Sequence, residues 1–322
     1  MFWTIPTEWG PLLDSGQHRF EVLCNLGKGG FSRVFACHDN NRGEIVAIKV
    51  CPKLFVKRES SWKRNDMLRE YEFTRKMDHP HIVRIHEYIE FTCPAVEFSE
   101  GKKDHGDTEV RVLVMERITG LTFDMHMKVN NKMSMEQTRR FIHQLGSALT
   151  YIHANGIIFA DMSRRNVIIN SDGDVKLIDF GLSISFKEAK TTRKTICGTP
   201  MCISPEMVRG EEYCVTPKID LWGLAVLAIE AYEGKSPFFF KRDFGIPSVS
   251  EIYTRIKSFM YECTTDFGKE IASIVLTDRS NRPSMDEFLH HPSISKGNVH
   301  TMSLRSTRNI SKGLSHGRPN QD

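Results

Sequence analysis

The stretch Val175-Lys176-Leu177-Ile178-Asp179-Phe180-Gly181 is an apolar run that ends on a carboxylate followed, after one aromatic, by glycine. Such a run reads as a buried strand delivering an acid to its edge. Thirteen residues before Asp179 stands Asn166, and five before that Asp161, in a turn-rich segment bounded by apolar runs. A carboxylate at position 161 can accept or steer the proton of an attacking hydroxyl. The Asn166 amide and the Asp179 carboxylate are oxygen donors of the kind that hold a hard divalent cation.

Upstream, Gly27-Lys28-Gly29-Gly30-Phe31-Ser32-Arg33-Val34 lies between two strand-like runs. Glycines let backbone N–H groups approach phosphate oxygens, although a plain glycine hairpin has the same composition. Twenty residues beyond Gly29, Val46-Ala47-Ile48-Lys49 sets a lysine on an apolar strand, where it is either a surface residue or a partner for phosphate across the glycine loop. A phosphate-binding lysine needs an orienting carboxylate. Glu70, nine residues before His79-Pro80, supplies one, with Glu72 as its rival.

Around these residues the chain changes character. Alternation over Arg19–Lys53 predicts strands and tight turns, Ser61–Met77 a helix, and Ile82–Phe91 and Glu109–Met115 further strands, with Thr92–Thr108 an inserted surface loop. Helical periodicity takes over after about residue 117. Ser134 with Gln137 forms a capping-box signature, and Phe141, Leu145, Ala148, Leu149 and Ile152 recur at helical spacing until Gly156. Ser284 with Glu287 is a second such start. Ile219–Tyr232 is the most apolar stretch, but its 14 residues include Glu230 and are too short to span a bilayer, so it reads as a buried helix.

With 40% hydrophobic and 26% charged residues, the 322-residue chain can bury a core, which excludes disorder throughout. The formal charge is +4, and residues 293–322 alone carry a basic surplus of four, so the body is near neutral. That argues against a nucleic-acid-binding body, and it predicts a disordered basic tail. The 8 cysteines form no Cys-x-x-Cys pair and read as free thiols in a reducing compartment. The start, MFWTIPTEWGPLLDSG, shows no secretory signal, and the expected location is intracellular, cytoplasmic or nuclear.

In this order and at these spacings the motifs resemble the eukaryotic protein kinase family. The glycine loop, Val-Ala-Ile-Lys, Asp161 to Asn166, Asp179-Phe180-Gly181 and Ser204-Pro205-Glu206 all follow the family's sequence, over roughly residues 19–292. The resemblance implies an α+β, bilobal fold with a β-rich lobe over about 19–116 and an α-rich lobe over about 121–292, joined near Glu116–Gly120. Residues 1–18 and 293–322 are then extensions. It also implies ATP and Mg²⁺ as cofactors and protein substrates as partners, with no nucleic acid and no transmembrane segment.

Roles follow by similarity. Gly27, Lys28, Gly29, Gly30, Phe31 and Ser32 would cover the nucleotide, whose adenine would lie against Val34, Ala47 and Met115, with Glu116 and Arg117 in the connector. Lys49, paired with Glu70, would hold phosphates; Asn166 and Asp179 would bind Mg²⁺; Asp161 would orient the acceptor hydroxyl. Cys197-Gly198-Thr199-Pro200 resembles the peptide-docking loop of Ser/Thr kinases, in which a threonine such as Thr199 contacts the catalytic aspartate. Asp220-Leu221-Trp222 resembles the start of the family's buried central helix, and Arg282 its partner for Glu206.

The sequence also departs from the family. The usual His-Arg-Asp reads Phe159-Ala160-Asp161, which removes the arginine that normally meets a phosphate on the activation loop, although Thr195 sits where AGC-like kinases carry such a phosphosite. The lysine two residues after the catalytic aspartate is Ser163, and Arg165 stands where many tyrosine kinases place an arginine that can supply the missing charge. That same position holds a glutamate in many kinases that prefer arginine-rich substrates, leaving Glu230 as one remaining carboxylate. AGC-like and polo-like features mix around Leu26–Phe31 and Thr195–Pro200. Ala160 and Ser163 leave a second reading open, a pseudokinase scaffold that binds nucleotide without efficient transfer.

Overall fold

A computed structural model describes residues 12–14, 19–28, 32–52, 67–93, 108–190, 198–209, 215–241 and 245–296. The period-two pattern of the first third folds as a six-stranded sheet. Its strands are β1 (Leu12–Asp14), β2 (Arg19–Lys28), β3 (Arg33–Asp39), β4 (Glu44–Pro52), β5 (Ile85–Cys93) and β6 (Thr108–Glu116), in the spatial order β1-β2-β3-β4-β6-β5 with every pair antiparallel. Between β4 and β5 in the chain, α1 (Met67–Thr74) packs on β5 and β6.

Alternation sorts β4 between two cores. Val46, Ile48 and Val50 join Phe35, Val112 and Val114 on one face. Ala47 and Cys51 face the other way, into the main core with Met115 and the helices, and Lys49 shares their side of the strand.

The rest of the described chain is helical around one buried element. β7 (Leu121–Thr122), α2 (Phe123–Asn130) and α3 (Met135–Ala154) are followed by β8 (Ile157–Ile158), β9 (Val167–Ile169), β10 (Val175–Leu177) and β11 (Ile184–Ser185). Strands β10, β9 and β7 form one small sheet, and β8 pairs with β11. Then come α4 (Phe186–Ala189), α5 (Pro205–Val208), α6 (Lys218–Glu233), α7 (Val249–Lys257), α8 (Asp266–Val275), α9 (Met285–Leu289) and α10 (Pro292–Ser295). Helix α6 is buried at every residue from Ile219 to Ala231, as its all-round apolarity requires. Both expected capping boxes form, Ser134 with Gln137 on α3 and Ser284 with Glu287 on α9.

Several expected boundaries move. Strand β5 starts at Ile85 rather than Ile82, because Ile82 turns aside to bridge Leu177 in parallel, beside a 3.0 Å hydrogen bond from the Val83 N–H to the Leu177 carbonyl. The expected Thr92–Thr108 loop is shorter, since Thr92 pairs with Glu109 and Cys93 with Thr108; residues 94–107 lie outside the described residues. The expected N-terminal extension contributes β1, which pairs with β2. At the other end the fold runs past residue 292, because Ile294 on α10 is buried. Gly29, Gly30, Phe31, Thr195, Cys197 and the tail after residue 296 lie outside the described residues, as do positions 61–66 of the expected helix. No helix among the described residues is long and apolar enough to cross a membrane.

Candidate active site

Three elements bring their charges to one point. Lys49 of β4, almost wholly buried, donates to Glu70 Oε2 of α1 at 2.8 Å and to Asp179 Oδ1 at 2.9 Å. The Phe180 N–H reaches Glu70 Oε1 at 3.3 Å, and the Gly181 N–H reaches Asp179 Oδ1 at 3.2 Å. The rivalry between the two glutamates is thereby resolved: Glu70 is inside, whereas Glu72 pairs on the surface with Arg75 at 3.4 Å.

Burial and charge work against each other here. Burial disfavours the Lys49 ammonium, but Asp179 and then Glu70 more than offset it, so the lysine is held above its usual value. For Asp179 burial acts upward, and Lys49 with the Gly181 N–H holds the carboxyl below its usual range. Glu70 is pushed up by burial.

Asp161 lies in the segment between β8 and β9. Asn166 Nδ2 donates to its Oδ2 at 2.8 Å and to its carbonyl at 2.9 Å, and the Thr199 hydroxyl reaches its Oδ1 at 3.4 Å. The Ile178 N–H donates to the Asn166 carbonyl at 2.8 Å, which holds this turn beside Asp179. Burial, and then the neighbouring Asp179 charge, push the Asp161 carboxyl up to about 6, against the pull of Asn166 and Thr199.

The backbone of this turn is held from below by Asp220 in the first turn of α6. Its carboxylate accepts the Phe159 N–H at 2.9 Å and the Ala160 N–H at 2.8 Å, and meets His153 Nε2 at 2.8 Å. Ala160 has φ of +63°, a conformation costing a non-glycine residue about 1–3 kcal/mol, so it persists only where its surroundings fix it. Phe159 fills the place of the usual histidine and packs edge-on against Phe180, ring centroids 5.1 Å apart.

Other expected residues fall as follows. Ala47 and Met115 are opposite one another across β4 and β6, both buried, with Val34 packed against the same core. The Gly27 N–H is held by Asn25 Oδ1 at 3.0 Å, Lys28 is exposed and Ser32 is buried. Ser163 is buried, and Arg165 is exposed. Glu116 of the connector uses its side chain: Oε1 accepts from the Arg84 N–H at 2.7 Å and from Lys176 Nζ at 2.5 Å. Arg282 meets Glu206 as the resemblance implied, through two bonds of 2.9 and 3.2 Å.

Sequence reasoning missed the backbone role of Asp220 and the contact of Arg69 with the Ser183 carbonyl at 2.9 Å. A lone charge opening an apolar helix was the available signal for the first. The second leaves no pattern in the sequence.

The comparisons with known proteins agree with this geometry. The family described as protein kinase domain matches residues 20–294. NUAK family SNF1-like kinase 2 of Rattus norvegicus is 33% identical over 225 residues, covering 69% of this chain and 32% of that protein. The chain therefore spans about a third of the length of the NUAK relatives it matches. Aurora kinase C of Mus musculus is 29% identical over 277 residues, 85% of this chain and 90% of the relative. An Aurora kinase of Candida glabrata is 31% identical over 281 residues, 86% and 71% of the two chains. These names do not support the AGC-like and polo-like reading. With the protein kinase domain matched over residues 20–294, and Lys49, Glu70, Asp161, Asn166 and Asp179 brought together, the chain belongs to the protein kinase family.

Proposed function

We propose that the chain is a protein serine/threonine kinase that transfers the γ-phosphate of ATP to a side-chain hydroxyl of a protein. The observation that carries this reading is the Lys49 ammonium held between Glu70 and Asp179 at 2.8 and 2.9 Å, close enough to Asp161 that the Lys49 and Asp179 charges both act on its carboxyl. A lysine so oriented presents a fixed positive charge to phosphates. The proposed nucleotide site is Gly27, Lys28, Gly29, Gly30, Phe31 and Ser32 over the phosphates, with Val34, Ala47, Met115 and the backbone of Glu116 around the adenine.

Asn166 and Asp179 would hold Mg²⁺. The fit rests on the donors: Asp179 Oδ2 and Asn166 Oδ1 make no hydrogen bond among the described residues, and both are the oxygens that a hard cation takes. Among the described residues no cluster of three metal-binding side chains forms, which suits an ion shared with the phosphates rather than caged by protein. When bound, Mg²⁺ neutralises charge on the phosphates.

The residues do the rest. Asp161, pushed up to about 6, is ionised at neutral pH and still basic enough to hold the acceptor's proton. Thr199 on its other oxygen fixes its orientation and supports Ser/Thr as acceptor. Arg165, exposed four residues after Asp161, is the cation available to the transferred phosphoryl group in place of the residue at Ser163. The free thiols Cys24, Cys37, Cys51, Cys202 and Cys263 support an intracellular setting.

Ala160 and the buried Ser163 favour the second reading, a nucleotide-binding scaffold. One assay separates the two: transfer of labelled γ-phosphate from Mg-ATP to a Ser/Thr peptide library and to the protein itself. Transfer by wild type that Asp161→Asn and Asp179→Asn both abolish is the expected result. ATP binding without transfer would instead mark a scaffold.

A further inference from the structure

We infer that Arg164 occupies, from within the chain, an acidic site beside the acceptor position, and that the proposed kinase therefore selects acidic rather than arginine-rich segments around its acceptor hydroxyl. The inference rests on the kinase reading above and names the substrate class for the same site.

Arg164 follows Asp161 by three residues on the same turn, and its carbonyl accepts the Asp124 N–H of α2 at 3.0 Å. Its guanidinium grips Glu230 of α6 with both ends, Nε to Oε2 at 2.9 Å and a second, shorter contact from NH2 to Oε1. NH1 lies 3.7 Å from Asp124 Oδ1. Glu230 is only 3% exposed, so this is a desolvated pair near the catalytic turn rather than a surface one. The nearness to Asp161 is felt at the Cys202 thiol, which burial raises most and on which Glu230, Arg164 and Asp161 all act.

Charge matching decides what can approach. The Asp124 carboxylate is also held by Lys128 Nζ at 2.7 Å, so both acids next to the catalytic turn have cations from the chain itself. Arg165 adds an exposed cation that forms no close ion pair among the described residues, its charge acting on Asp124 from farther off. Among the described residues Lys128 and Arg164 thus match Asp124 and Glu230, and Arg165 stands against the neighbouring Asp161, so the charges around the turn are balanced. A substrate guanidinium finds both acids beside the turn already paired among the described residues and meets the exposed Arg165, which a carboxylate or phosphate side chain can pair with instead. Removing Arg164 reverses this: burial pushes the Glu230 carboxyl up to about 7 even with Arg164 holding it down, so without Arg164 it takes up a proton or, where the substrate offers one, pairs with a substrate arginine.

The test compares acceptor peptides identical except for Glu, Ala or Arg residues flanking the serine, with kcat/KM ratios taken within each protein. Wild type is expected to favour the Glu-flanked over the Arg-flanked peptide by about tenfold, falling at high salt. Arg164→Gln should move that ratio toward the Arg-flanked peptide by at least about tenfold. The double variant Arg164→Gln with Glu230→Gln, which leaves no buried charge unpaired and so keeps the fold, should retain the wild-type order. A wild type that prefers the Arg-flanked peptide, or a single variant folded by circular dichroism with an unchanged ratio, would overturn the inference. Transfer to the Ala-flanked peptide with no discrimination by charge defeats the inference alone; no transfer to any peptide defeats the kinase reading with it.

Discussion

Arg69 of α1 and Glu188 of α4 form an ion pair at 2.7 Å that ties the helix bearing Glu70 to the segment following Phe180. The same Arg69 nitrogen donates to the Ser183 carbonyl at 2.9 Å, and the guanidinium lies 5.1 Å from the Phe73 ring centroid. Glu188 is steadied in turn by the Ser185 N–H and hydroxyl, both at 2.8 Å. The two side chains are 34% and 43% exposed, so the pair contributes little to global stability. Its effect is on position: it sets α1 where Glu70 meets Lys49, with Ala160 offering no cation of its own. Arg69→Ala should lower kcat/KM for ATP about tenfold with a nearly unchanged melting temperature. Exchanging the charges, Arg69→Glu with Glu188→Arg, should recover part of the loss. Steady-state kinetics of the three proteins check this, and full activity in Arg69→Ala would refute it.

In the proposed reaction Asp161 trades stability for chemistry. Its carboxyl is raised from 3.8 to about 6 in the folded protein, chiefly by burial. A raised acid binds its proton more tightly folded than unfolded, so ionisation costs stability: nothing below about pH 4 and about 3 kcal/mol in full above about pH 6. Asp161→Asn should therefore gain up to about 3 kcal/mol in urea unfolding at about pH 8, gain nothing near pH 3, and lose transfer. In wild type, kcat/KM for transfer, which reports the free protein, should fall as pH drops through about 6. Equal gains at both pH values would exclude ionisation as the cause.

Gly223 of α6 has no room for a methyl group. A Cβ there would lie 2.4 Å from Met162 Cβ, which follows Asp161 directly. Gly223→Ala should cost about 1–3 kcal/mol and shift the catalytic turn. Thermal melts and kcat measured together test this; a melt lowered with kcat intact would place the strain elsewhere.

Arg282, with a fully buried guanidinium, holds Glu206 and the carbonyls of Val275, Thr277 and Lys218. Arg282→Ala strands the Glu206 carboxylate and should cost about 3–5 kcal/mol, read as a lower urea midpoint. Adding Glu206→Gln should restore part of it, since no charge is then left unpaired.

The site was legible where function fixes local sequence. Asp161 with Asn166, Asp179-Phe180-Gly181 and Lys49 each sit on a short motif whose residue types follow from the chemistry, and the structure joins them. The pattern also gave α3 and α6 nearly to the residue, because amphipathic and fully apolar helices announce their periods. What stayed hidden were pairings across long separations. Glu188 follows Arg69 by 119 residues and Glu230 follows Arg164 by 66, and no periodicity relates either pair. Ile82 illustrates the same limit: as an apolar residue it reads as strand, and only Leu177, far along the chain, draws it out of β5.

Glu116 has a mechanical consequence. One carboxylate oxygen holds both the Arg84 N–H at the start of β5 and the Lys176 ammonium on β10, so the β-rich lobe and the helical lobe share an axle where the connector leaves β6. In the proposed nucleotide cycle, movement of one lobe against the other would turn about that joint rather than slide across it. The span swept would be greatest at β1 and β2, on the far side of the sheet, and least beside Met115 of β6.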